Sequence, residues 1–137
     1  EVTEESMYAG IKAARRGNRV GKISNAVQRV VEKAGFSVIR DFVGHGVGKS
    51  LHEEPQIPNF GRPGNGPKLR EGAVLCIEPM VNMGRHAVKM SDDGWTALTA
   101  DGSASAHFEH TVIVTDDGPE ILSVPQGKEA PELALKD

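Results

Sequence analysis

The sequence predicts an α+β fold, with two helices on one face of an antiparallel sheet. Three observations predict it. Apolar residues recur at helical spacing through residue 34, and the period then shortens to that of strands. Short runs rich in β-branched residues follow, separated by turn residues. Between them, Pro58 to Gly72 holds three prolines and four glycines, a loop rather than an element.

Each element has its own signal. Glu4 to about Arg16 reads as an amphipathic helix through Met7, Ile11 and Ala14, stopped at Gly17-Asn18. Lys22 to Ala34 reads as a second helix through Ile23, Val27, Val30, Val31 and Ala34, with Gly35 as its C-terminal cap. Both stripes are core-packing surfaces. Phe36 to Val43 reads as a strand, and Val74 to Val81 as a strand broken at Pro79. Residues 95–99 form a short strand, Ala106 to Thr115 a long one, and Glu120 to Val124 a last one after the Asp117-Gly118 turn. Residues 1–124 make one domain, and 125–137 a loose polar tail.

Composition narrows the class of function. The 137 residues carry a net charge of −3, against a dominant nucleic-acid footprint and against an anionic membrane surface. No apolar run approaches the roughly 20 residues of a membrane span. Cys76 is the single cysteine, so no internal disulfide forms, which fits a reducing, cytoplasmic setting. The chain opens inside a helix and without Met, and reads as a piece of a longer protein.

Three places offer metal-type ligands: His45 in a glycine-rich stretch, Glu78 in "CIEPM" and Glu109 in "HFEHT". Alternation puts Val74, Cys76, Glu78 and Met80 on one strand face. A carboxylate in such apolar company needs a cation or a proton. Glu109 raises the same problem within a strand rich in Val and Ile. Two carboxylates and an imidazole suit a divalent metal. Pro79 fixes the backbone of Glu78 and leaves a gap in the strand pairing, and the glycines around His45 let the backbone pass close to a neighbour. His86, His107 and His110 read as structural residues. His110 alternates to the face opposite Glu109.

The stretches "GHGVGKSLHEEP", "GRPGNGPKLREGAVLCIEPMV" and "DGWTALTADGSASAHFEHTVIVT" resemble the C-terminal half of a type I methionine aminopeptidase. The resemblance runs to about Ser123, and the long insertion of type II enzymes is absent between the motifs. It implies part of a pita-bread fold, in which helices pack outside a curved antiparallel sheet around a dinuclear centre of Co, Mn, Fe or Zn. The family removes the initiator methionine from new polypeptides, which makes nascent N-termini the substrate and the ribosome a possible neighbour. Matched residue by residue, the resemblance implies that His45 and Glu78 bind one metal and Glu109 bridges both. It makes Glu78 a proton relay and His52 a donor to the scissile amide and oxyanion. Leu51 and Trp95 match positions that wall the methionine pocket. Two aspartates and a histidine that the family takes from its N-terminal half have no counterpart, since Asp41, Asp92, Asp93 and Asp101 do not sit in the aspartate motif. The chain alone is therefore expected to be inactive and to self-associate. Two other readings are a peptidase of the same fold acting on Xaa-Pro bonds, and a metal-free binding module of that fold. The "HEEP" and "IEPMV" runs disfavour the first, and the retained His45, Glu78 and Glu109 disfavour the second.

Overall fold

A computed structural model describes residues 1–131 and 133. Two helices come first, α1 (Val2–Ala13) and α2 (Val20–Lys33). Each starts two residues before the sequence-based boundary. Met7 and Ile11 on α1, and Ile23, Val27 and Val31 on α2, are buried on the facing stripes. Ala34, expected to extend the α2 stripe, is exposed instead, because the helix ends at Lys33. The helices pack closely at Gly10, where a β-carbon would lie 2.8 Å from a Val27 methyl.

Ten short strands follow: β1 (Ser37–Val38), β2 (Gly44–Gly46), β3 (Glu53–Ile57), β4 (Val74–Ile77), β5 (Met80–Asn82), β6 (Val88–Met90), β7 (Ala97–Thr99), β8 (Ser105–His107), β9 (His110–Thr115) and β10 (Gly118–Ile121). They form a five-stranded sheet ordered β10-β9-β4-β2-β3, a three-stranded sheet ordered β1-β5-β8, and the β6-β7 ribbon. Every pairing is antiparallel. Leu75 and Ile77 of β4 and Val112 and Val114 of β9 pack with Met7, Ile11 and Ile23 in the main core. The helices therefore cover one face of the five-stranded sheet, and alternation sends Cys76 to the other.

Several elements differ from the sequence reading. The strand expected over Phe36 to Val43 is only Ser37–Val38, and pairing resumes at Gly44. Glu53–Ile57 and Val88–Met90 are strands that the sequence reading left unassigned. The expected strand over 95–99 is Ala97–Thr99, and the last strand begins and ends earlier, at Gly118 and Ile121. Val74 to Val81 divides at Glu78-Pro79, and Ala106 to Thr115 divides at Phe108-Glu109. Glu109 thus sits in a break rather than within a strand. Val124 at the end of the domain and Leu133 in the tail pack against the core. Residues 132 and 134–137 lie outside the described residues.

The two breaks are the key to the architecture. β4 and β9 pair in the five-stranded sheet, whereas β5 and β8 pair in the three-stranded one. Both chains therefore leave one sheet and enter the other side by side, between the pairs Ile77↔His110 and Met80↔His107. Glu78 and Glu109 occupy these two crossings.

Candidate metal centre

His45 is the middle residue of β2, opposite Cys76 of β4. The flanking glycines are demanded by close packing. A β-carbon on Gly44 would overlap the Cys76 carbonyl oxygen, and one on Gly46 the Glu54 carbonyl oxygen. With both absent, β2 fits between its neighbours and His45 is aimed across the sheet at Glu78. The side chains are 12% and 14% exposed, and His45 Nε2 lies 3.3 Å from Glu78 Oε1.

His45 Nδ1 lies 2.9 Å from the Gly46 carbonyl oxygen. A carbonyl only accepts, so Nδ1 carries the proton and donates it there. In the neutral ring, Nε2 then holds a lone pair and directs it at a carboxylate oxygen. Two lone pairs facing each other at that distance require a proton or a cation between them.

Glu78 has further neighbours. His107 Nε2 lies 3.4 Å from its other oxygen. Burial and then the nearby Glu109 carboxylate push its pKa above the ordinary carboxylate value, opposed by the two imidazoles. A site that penalises the anions in this way is one that a divalent ion relieves. Two groups of potential ligand atoms lie within 4.8 Å of one another: His45, Cys76 and Glu78, and Glu78, His107 and Glu109. Glu78 belongs to both. The donor set is oxygen- and nitrogen-rich with one thiol, and it fits divalent metal.

The three ligands read from sequence, His45, Glu78 and Glu109, therefore converge. His52 joins them, its ring centroid 3.9 Å from that of His45. Leu51 and Trp95 are 72% and 88% exposed, so among the described residues they enclose nothing. His110 turns away, its Nδ1 2.8 Å from the Ser123 hydroxyl and its ring against Tyr8. His107 corrects the structural reading given to it, because its imidazole reaches Glu78. Cys76 was placed on the Glu78 face but not counted in the site; its Sγ lies 2.8 Å from Glu109 Oε1. The signal for Cys76 was the two-residue alternation itself, since 76 shares a face with 78.

A sheet crossing that gathers carboxylates and imidazoles is a candidate metal centre, and the chain belongs to metallopeptidase family M24, whose model matches residues 1–116. Among its relatives, a methionine aminopeptidase of Clostridium perfringens is 60% identical over 123 residues, covering 90% of this chain and 49% of the relative. Methionine aminopeptidase 1 of Bacillus subtilis is 54% identical, covering 90% of this chain and 50% of the relative. The crystal structure of a Thermotoga maritima methionine aminopeptidase superposes with a TM-score of 0.86 at 55% identity, covering 88% of this chain and 48% of that one. The architecture is thus that of the pita-bread fold. The chain spans about half the length of the curated relatives it matches.

Proposed function

We propose that this chain supplies catalytic residues of a methionine aminopeptidase, a hydrolase that removes the initiator methionine from new polypeptides in the cytoplasm. The observation that carries the reading is the His45–Glu78 contact, where the imidazole lone pair and the carboxylate face each other as ligands of one cation do. Similarity to methionine aminopeptidases at 54–60% identity supports the substrate class.

In this reading His45, through Nε2, Glu78 and Glu109 would hold the metal ions. Two divalent ions, Co, Mn, Fe or Zn, would furnish a nucleophile at neutral pH and polarise the scissile carbonyl. The chain's own residues do the rest. The Gly46 carbonyl fixes the His45 tautomer and ring orientation. Glu78 would accept a proton and pass it to the leaving amine. His52, beside His45, donates toward the negative charge that builds on the substrate oxygen. Leu51 and Trp95 offer apolar surface to the methionine side chain. The ligands missing from this chain are assigned to aspartates elsewhere in a protein of the relatives' length.

The test is hydrolysis of a Met-starting tripeptide by the intact protein, with metal content measured beside it. Removing divalent metal should abolish turnover, and restoring it should recover turnover. His52→Ala should lower kcat by about 10²- to 10³-fold while metal stoichiometry holds. Loss of a whole ion from His52→Ala would move that residue into the ligand set. Activity that survives complete chelation would overturn the metal reading.

A further inference from the structure

Cys76 stands at this centre with no part in the chemistry above. It is the only cysteine of the chain, and it is buried, 1% exposed. It belongs to one donor group and touches a member of the other. Its backbone pairs with His45 on one side and with Thr111 on the other. Its side chain points to the Glu78 face, with Sγ 2.8 Å from Glu109 Oε1.

The direction of that contact is decided by chemistry. A carboxylate has only lone pairs to offer, so the thiol proton lies between sulfur and oxygen and the thiol donates. A hydrogen bond to an ionised acceptor is among the stronger ones, and it restrains the acceptor's orientation. Glu109 needs such restraint. It sits at a crossing between sheets, its residue is exposed, and the regular ladder resumes only at His110. Carboxylate ligands held from behind in this way bind metal more tightly than free ones.

We infer that Cys76 is a positioning residue, whose thiol proton, given to Glu109 Oε1, sets the orientation in which that carboxylate receives the metal. The inference rests on the reading of Glu109 as a metal ligand. It assigns Cys76 no bond to metal and no role as nucleophile. Serine can make the same donation, and alanine cannot.

One cysteine means one S–H stretching band, so infrared spectroscopy of the full chain reads this contact without any metal. The band should lie at lower frequency in the wild-type chain than in Glu109→Ala, where the acceptor is gone. Identical band positions would overturn the inference. Mn(II) titration by calorimetry supplies the second readout. Cys76→Ala should weaken binding by about 10- to 100-fold, and Cys76→Ser should restore it, with circular dichroism confirming that both variants fold. Equal affinity of Cys76→Ala and wild type would overturn the inference. So would a thiolate-to-metal charge-transfer band on adding Co(II), since the thiol would then be a ligand. Failure of the metal reading itself looks different: Glu78→Ala, His45→Ala and wild type would all bind Mn(II) alike, while the S–H shift would still report on the Cys76–Glu109 contact.

Discussion

Individual residues at the centre divide by how openly the sequence displays them. His45, Glu78 and Glu109 are conspicuous because a polar group among glycines or valines has no bland explanation. His107 is not conspicuous, since a histidine near a strand end is ordinary. Its importance comes from its distance to Glu78 Oε2, 3.4 Å, which only the folded chain supplies. The imidazole gives Glu78 a second partner and limits its rotation. His107→Ala in the intact protein should therefore weaken metal binding by about 10- to 100-fold, as loss of a supporting contact does. Calorimetric titration of wild type and variant measures this, and unchanged affinity would return His107 to the structural role first given to it. His52 was legible only through resemblance to a family. By itself, a histidine exposed beside Leu51 says nothing about the ring it stacks on.

At the scale of elements, helices were easier to read than strands. The stripes through Met7 and Ile11 and through Ile23, Val27 and Val31 are long enough to average out local exceptions. The strands are two to six residues long, too short for a period to establish itself. Pro79 announced one break. Phe108-Glu109 carries no proline or glycine, and its break arises from tertiary pairing with a partner that is itself broken. Two predictions belong here. Gly44→Ala should cost about 1–3 kcal/mol in chemical denaturation, because β2 cannot retreat from the Cys76 carbonyl without leaving β3 or β4. A variant as stable as wild type would show that the ladder yields. Asp101 holds the turn before β8. It accepts from the backbone N–H of Arg85, and from the hydroxyl and N–H of Ser103, which together lower its pKa to about 2. A lowered folded pKa favours the folded turn above the ordinary carboxylate value of 3.8 and loses that advantage as pH falls through about 2. Nuclear magnetic resonance should show the Asp101 carboxyl and the Arg85 amide titrating together near pH 2, and a midpoint near 3.8 would contradict the arrangement.

The whole molecule presents one well-covered face and one open one. The helices bury the Leu75 and Ile77 side of the five-stranded sheet. Leu51, Trp95, Met83 and Phe108 are exposed, and β10, β3, β1 and β8 are sheet edges among the described residues. Unpaired edges and large exposed apolar side chains favour association. The purified chain should show a mass above its 14.6 kDa in light scattering, rising with concentration. A constant monomer mass would mean that the edges are protected as they stand. The same chain should hydrolyse Met-starting peptides poorly, because two carboxylates cannot balance the charge of two divalent ions. Turnover equal to that of the intact protein would refute this. Fold class was legible at this scale, whereas the passage of two segments from sheet to sheet was not, since no local residue pattern encodes which strands will be neighbours.

That double passage turns backbone register into a measuring device. Glu78 and Glu109 are carried on two chains whose pairing is set before the gap, at Ile77↔His110, and again after it, at Met80↔His107. A slip of one residue on either chain would displace its charge by about 3.4 Å along the strand and turn it to the opposite face. Such a slip has to break both sheets at once. The spacing of the two backbone positions is thus a calibrated length, held by two clamps. Lengthening or shortening either arm by a single residue would lose the scale.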